Sequence, residues 1–472
     1  MLNKAEPDIR IILPFIAVIV IALVGGMFIT QVSIGIAFAI VGAIIIALIC
    51  FMNPELGLYI LICAMLLGPQ FGTGGAAGEG VRGRGLTLRL DDFLLLIIGF
   101  SWFLSTAVNK ERGLFLKTPL NRYIAAYFIA CLVATIIGYM MGRVKGTAGF
   151  FFVLKYFEYY IVYFMAVNYL KEKKQMERLV WTMLIVCLVV CAISIYQIPS
   201  GVRVSAPFEG ETGEPNTLGG YLVLILSLVS GLLFNNYGTK SQKFFFGGLV
   251  LFILITLAAT HSRSSWLALG PMMLALIWFS KRKFVVIIPL IFLVILSAFL
   301  VPSGVKERAL FTFAQPKEQG QLVIGGVRID TSTSARLESW KNVLAKDFIE
   351  QPILGYGVTG YSFMDAQYPR VLAETGLLGL FFFIALLVAI YRNALNAWRR
   401  YADDPFYLGV STGFLAGFFA MLTHAIGANT FIIVRIMEPF WFLTAIVIMI
   451  PRIGSSLRPD ASETDHRLLK PI

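Results

Sequence analysis

Long apolar runs separated by short polar stretches dominate the chain. A helix that crosses the hydrocarbon core of a membrane needs about 20 apolar residues. Fourteen segments approach this length, near 11–30, 32–52, 55–70, 92–108, 123–141, 148–170, 179–198, 218–235, 244–260, 265–280, 284–301, 375–392, 406–425 and 430–451. Because 55–70 is short and 148–170 contains Lys155 and Glu158, the pattern predicts an all-α transmembrane helix bundle with 12–14 spans. We expect residues 1–472 to form a single polytopic membrane domain.

The composition excludes several classes of protein. Of the 472 residues, 58% are hydrophobic and 14% are charged, whereas a soluble domain carries about 25% charged residues. This excludes a soluble enzyme, a disordered protein and a fibrous protein. The net charge of +12 is interpreted as a determinant of topology, with no nucleic acid as partner.

The distribution of Lys and Arg predicts the orientation. With the N-terminus in the cytoplasm, the inner loops and the two termini hold 22 basic residues, and the short outer loops hold seven. Basic residues favour the cytoplasmic side of a membrane. The opposite orientation is therefore excluded, and the 73-residue segment 302–374 becomes a large outer loop.

The large loop has a helical pattern of its own. Leu337, Trp340, Leu344 and Phe348 recur at helical spacing, which predicts a short amphipathic helix at the membrane surface. Ser334 is its predicted N-cap. Loops of this length in compact proteins are usually functional or disordered, and the aromatic content favours function.

Polar residues near the outer ends of the spans are the candidate site. Four have a structural alternative: Arg263 as a snorkelling residue, His261 as a locally bonded helix end, Asp365 as a turn residue, and Lys155 as the partner of Glu158. The chain has no HExxH motif and no spaced Cys/His cluster, so neither a metal site nor a cofactor is predicted. The remaining candidates are Arg203, Asn216, Arg328, Arg336, Tyr361, Tyr368 and Glu374.

A long stretch of the large loop resembles the signature of the O-antigen ligase and polymerase superfamily. The stretch runs from Arg336 and Trp340 through the turn Pro352–Gly355–Gly357 to Asp365, Tyr368 and the Glu374-x-Gly376-x-x-Gly379 start of the next span. The SRSSW segment around Arg263 and the PNTLGGYL segment around Asn216 are also similar to the family. By motif, the resemblance covers roughly residues 200–400.

The resemblance implies a glycosyltransferase of the GT-C type in the bacterial inner membrane, with its active site facing the periplasm. Such enzymes take a glycan from undecaprenyl diphosphate, invert the anomeric carbon and use no metal. The acceptor is lipid A core for a ligase, a second lipid-linked glycan for a polymerase, or, in some members, a protein. Ligases of the family carry His where this chain has Asp365, so the choice among these acceptors stays open.

The resulting hypothesis assigns a role to each candidate residue. Arg263 and Arg336 bind the diphosphate, with Arg203 or Arg328 as a third cation. Asp365 accepts the proton of the acceptor hydroxyl. Glu374, Tyr361 and Tyr368 orient the sugars or hold the loop, and Lys155 contacts the diphosphate from below. Asn216 and His261 are further substrate-binding candidates.

Two other classes compete with a transferase. The first is a transporter of lipid-linked oligosaccharides, and the second is a non-catalytic scaffold. Secondary transporters are built from repeats with polar groups at the midplane of the membrane. Here no internal repeat is evident and the charges gather at one face, so transfer is favoured over both.

Overall fold

A computed structural model describes residues 34–71, 88–108, 116–146, 148–201, 203–209, 213–284, 286–288, 315, 321–324, 327–362 and 364–455. The predicted span 11–30 and most of the predicted span 284–301 lie outside these residues. Each of the other twelve predicted spans coincides with a described helix. The total of 12–14 spans therefore stays a prediction.

The helices occupy most of the described chain. They are α1 Ile34–Met52, α2 Pro54–Leu67, α3 Leu90–Val108, α4 Asn121–Met140, α5 Ala148–Tyr169, α6 Lys173–Gln197, α7 Pro215–Phe234, α8 Lys240–Ala259, α9 Arg263–Phe279, α10 Thr331–Asn342, α11 Phe348–Glu350, α12 Gln367–Arg400, α13 Pro405–His424 and α14 Val434–Ser455. Two-residue strands form two antiparallel pairs, β1 Gln70–Phe71 with β2 Leu88–Arg89 and β3 Val323–Ile324 with β4 Val327–Arg328.

Eight helices of the described chain are long and apolar enough to cross a membrane. They include α7, α13 and α14, which are almost entirely buried inside the bundle, and α8, which is mostly exposed along its apolar surface. An exposed apolar helix is stable where lipid surrounds it. The predicted all-α polytopic bundle is thereby confirmed.

Glycine allows the central helices α7 and α13 to approach closely. A β-carbon on Gly231 of α7 would lie 2.5 Å from both the carbonyl oxygen of Gly409 and the amide nitrogen of Gly413 on α13. Small residues at such crossings let two backbones pack directly against each other, which is a principal source of stability between membrane helices.

Replacing Gly231 by alanine should therefore destabilise the bundle, because the new methyl group meets backbone atoms that cannot rotate away. We expect a loss of about 1–3 kcal/mol in the free energy of unfolding, measured by thermal unfolding in detergent. Gly247→Ala is the matched control, since a β-carbon on Gly247 of α8 meets nothing within 4 Å. Equal stability of the two variants would contradict the proposed crossing.

Helix α12 is interrupted at Gly376, whose φ of 63° and ψ of −165° are not helical. The loop before α12 folds back into this break and supplies the backbone hydrogen bonds that the helix lacks. These bonds join the amides of Leu377 and Leu378 to the carbonyls of Pro352 and Ile353, and the amides of Tyr356 and Gly357 to the carbonyls of Ala373 and Glu374. The Pro-x-x-Gly-x-Gly turn and the Glu-x-Gly start of the span thus form one joint.

The described part of the large loop contains the predicted short helix, with two differences. Asp330 caps α10, because its side chain accepts hydrogen bonds from the amides of Ser332 and Thr333. The prediction of Ser334 as the cap is wrong: Ser334 is buried within the helix and bonds Leu322 and Ile329. In addition, α12 begins at Gln367, so the last residues of the segment 302–374 are helical.

A π-helical turn, Val343–Asp347, continues α10 into α11. Of the predicted apolar face, Trp340 and Phe348 pack against a small cluster made of Val343, Met364, Ala366, Leu372 and Ala373. Leu337 and Leu344 are exposed. This cluster holds α10 against the start of α12, at the end of the bundle where the candidate residues lie.

Candidate functional site

Arg263 forms the first of two arginine–aspartate pairs. Its Nη1 and Nη2 donate to the two carboxylate oxygens of Asp330 over 2.8 and 2.9 Å. Arg263 is the first residue of α9, and Asp330 caps α10. Burial alone would raise the pKa of Asp330, but hydrogen bonds from Arg263, Ser332 and Thr333 hold it well below its usual range. The pair is therefore a fixed ionic link between α9 and α10.

Arg336 and Asp365 form the second pair, with 3.0 Å between Nη2 and Oδ2. Their side chains are 23% and 31% exposed, so the pair is half-buried and remains open to a ligand. The Nε of Arg336 is buried and has no hydrogen-bond partner among the described residues. The structure thus brings two of the three predicted catalytic residues into direct contact. It also joins the third, Arg263, to Asp330 at the start of the short helix that carries Arg336.

The backbone on both sides of Asp365 is anchored to the junction between α13 and α14. Asn429 donates its side-chain amide to the carbonyl of Met364 over 2.7 Å. The side-chain oxygen of Gln367 accepts a bond from the backbone amide of Phe431, and the backbone amide of Gln367 donates to the carbonyl of Ala425. These bonds fix the position of the Asp365 carboxylate relative to the bundle.

A buried hydrogen-bonded chain lies below Arg263. Asn216 accepts a bond from Ser262 over 2.8 Å, and Ser262 bonds Ser265 over 2.8 Å. Ser265 bonds His424 over 3.2 Å, and the other ring nitrogen of His424 bonds Thr430 over 2.8 Å. The predicted substrate-binding residue Asn216 therefore holds the turn before α9.

The turn before α9 is also braced from outside. Arg203 donates to the carbonyls of Thr260 and His261 over 3.1 and 3.2 Å. His261 has a φ of 50°, a left-handed conformation that is uncommon for a residue other than glycine. Arg203 and His261, both predicted to bind substrate, are thus brought together beside Arg263.

Three predicted substrate-binding residues form hydrogen bonds within the protein: Tyr361, Tyr368 and Glu374. The Tyr361 hydroxyl donates to Asp347, and burial together with this bond raises its pKa to about 12. The Tyr368 hydroxyl donates to the carbonyl of Leu422 over 2.7 Å. Glu374 accepts from Arg370 and from the amide of Thr359. These contacts favour the loop-holding alternative of the sequence hypothesis over direct sugar binding.

Lys155 belongs to a buried ionic cluster. It bonds Asp92 and lies 3.2 Å from Glu158, so the predicted neutralising contact with Glu158 is present. The cluster also contains the pairs Arg89–Asp91 and Arg435–Glu209, together with the fully buried Glu438. Arg328, the other predicted cation, has an exposed side chain at the end of β4.

The sequence does not reveal the structural roles of three residues of the site, Asp330, His424 and Thr430. The pairing of Asp330 with Arg263 depends on a contact across 67 residues. The bond of His424 to Ser265 spans 159 residues, and Thr430 enters the site through its bond to His424. An available signal was the run of cap-forming residues from Asp330 to Ser334, which marks a helix start.

Residues 248–384 match the family model described as O-antigen ligase (Wzy_C). The matched segment contains both arginine–aspartate pairs and the joint at Gly376. No curated protein matches the chain. The family resemblance predicted from the sequence motifs is confirmed.

Proposed function

We propose that this membrane protein transfers a glycan from a polyprenyl-diphosphate donor to an acceptor hydroxyl, because residues 248–384 match the family model described as O-antigen ligase. Undecaprenyl diphosphate in the bacterial inner membrane is the proposed carrier, and the periplasmic face is the proposed side of reaction. The observation that carries the proposal is the pair of arginine–aspartate contacts at one end of the bundle. Both contacts involve the short stretch of chain from Asp330 to Arg336.

The arginines account for departure of the leaving group. A diphosphate gains negative charge as the bond to the sugar breaks, and a guanidinium binds phosphate oxygens bidentately and stays charged. Fixed positive charge at the point where negative charge develops lowers the barrier. The half-buried guanidinium of Arg336, whose side chain is 23% exposed, offers donors for this contact.

Asp365 is the proposed general base. It takes the proton of the acceptor hydroxyl while the oxygen attacks the anomeric carbon from the face opposite the diphosphate, which inverts that carbon. A base must be held within hydrogen-bond reach of the proton that it removes. The anchored backbone around Asp365 and its bond from Arg336 provide a fixed position.

In lipid vesicles that contain donor glycolipid and lipid A core, both extracted from the source cells, the protein should produce a lengthened or transferred glycan and free polyprenyl diphosphate. Movement of intact donor between leaflets without any product would instead identify a transporter and refute the proposal. In cells that lack the protein, loss of all long chains from lipid A would identify a ligase. Lipid A capped with single repeats would identify a polymerase.

A further inference from the structure

The carboxylate of Asp330 accepts more hydrogen bonds than it needs to cap α10. It receives two bonds from the Arg263 guanidinium, two from the amides of Ser332 and Thr333, and one from the Ser332 hydroxyl over 2.6 Å. The Ser332 hydroxyl in turn accepts a bond from Arg263. The Asp330 side chain is only 2% exposed, so these bonds are shielded from water.

This arrangement fixes the guanidinium of a long and flexible side chain. A carboxylate that binds both terminal nitrogens of an arginine sets the plane of the guanidinium as well as its position. Arg336 lies six residues farther along α10, about 9 Å along the helix axis. One carboxylate therefore determines where Arg263 stands and where the helix that carries Arg336 begins.

We propose, on the basis of the proposed transfer function, that Asp330 is a positioning residue that acts through Arg263. It holds the Arg263 guanidinium in the geometry that the departing diphosphate needs, at a set distance from Arg336. Folding already fixes the Arg263 side chain, so the entropic cost of ordering it does not add to the barrier of the reaction. In this proposal Asp330 does not touch the substrate.

The test must separate positioning of Arg263 from capping of α10. Serine is as good an N-cap as aspartate, but its single neutral oxygen cannot bind a guanidinium bidentately. Asp330→Ser should therefore keep α10 capped and lower kcat by about tenfold to a hundredfold, with donor glycolipid from the source cells as substrate. Because Asp330→Ser and Arg263→Ala lose the same ionic link, the thermal unfolding temperature of Asp330→Ser should fall no further than that of Arg263→Ala. Asp330→Asn, a cap with one carbonyl oxygen for Arg263, should give an intermediate kcat.

The second arm repeats the substitution in an Arg263→Ala background. If Asp330 acts through Arg263, the double variant should transfer glycan at the rate of Arg263→Ala alone, because the two effects are not additive. An equal further loss in that background would overturn the proposal, because Asp330 would then act independently of Arg263. Wild-type kcat in Asp330→Ser would overturn it as well.

The controls separate this inference from the proposed function. Asp403→Ser makes the same chemical change at an exposed carboxylate beyond the end of α12, and should leave kcat unchanged. If the wild-type protein transfers no glycan, the proposed function fails. If Arg263→Ala retains full activity, glycan transfer stands, and the role of Arg263 fails together with the positioning role of Asp330. If Arg263→Ala is impaired while Asp330→Ser is not, only the positioning role fails.

Discussion

Replacing Arg263 by alanine should slow glycan transfer by about a hundredfold to a thousandfold. The guanidinium is a preorganised charge donor in a partly buried site, and removal of one such donor typically has an effect of this size. The initial rate of product formation from extracted donor glycolipid, with membrane insertion and folded yield confirmed, measures the effect.

Arg263→Lys refines this expectation. Lysine keeps the positive charge but loses the planar fork that binds Asp330 and phosphate in a defined orientation. Its rate should fall between those of the wild type and of Arg263→Ala. Arg399→Ala is the control. It removes an exposed arginine at the C-terminal end of α12, the end away from Asp365, and should leave the rate unchanged. A wild-type rate in Arg263→Ala would remove the arginine from the mechanism.

The bundle could be predicted because the signal for a membrane helix is local. Hydrocarbon thickness sets the length of a span, and the need to satisfy backbone hydrogen bonds within the segment leaves helix as the main solution. Each of the twelve predicted spans that fall within the described chain is therefore found as a helix. The break at Gly376 was not predicted, because a hydropathy pattern does not register the conformation of one residue.

The site could be predicted only as a set of residues. The family motifs identified Arg263, Arg336 and Asp365, and the last two are in contact. The partner of Arg263 was not predicted, because five consecutive residues from Asp330 to Ser334 are all able to cap a helix. Only the tertiary contact with α9 shows which of them also meets the arginine.

The family motifs in the large loop contain two kinds of residue that the structure separates: residues that shape the backbone and residues proposed for the chemistry. Gly355 and Gly376 have positive φ values of 67° and 63°, and a β-carbon on either would collide with backbone of the other segment. They shape the joint between the loop and α12. In the chain, Asp365 lies between the two segments that meet at this joint, and its neighbours Met364 and Gln367 bond to the junction of α13 with α14. The joint therefore contributes to positioning the proposed base without taking part in chemistry.

Replacing Asp365 by asparagine should lower the rate of transfer by about a hundredfold or more. A general base contributes roughly 10²–10⁴-fold to a rate, and an amide cannot accept the hydroxyl proton. Asparagine retains an oxygen that can accept the bond from Arg336, so the fold should persist. The initial rate of glycan transfer at saturating donor, together with the thermal unfolding temperature, checks both expectations.

Asp365→His distinguishes a base from a structural partner of Arg336. Neutral imidazole accepts a proton, so this variant should transfer glycan faster than Asp365→Asn. Because imidazole is protonated below about pH 6.5 in model peptides, the rate of this variant should fall as the pH drops below that value. Glu338→Gln, which neutralises an exposed carboxylate on α10, should keep the wild-type rate and pH profile. Activity of Asp365→Asn equal to that of the wild type, or a histidine variant as slow as asparagine at every pH, would show that Asp365 only holds Arg336 in place.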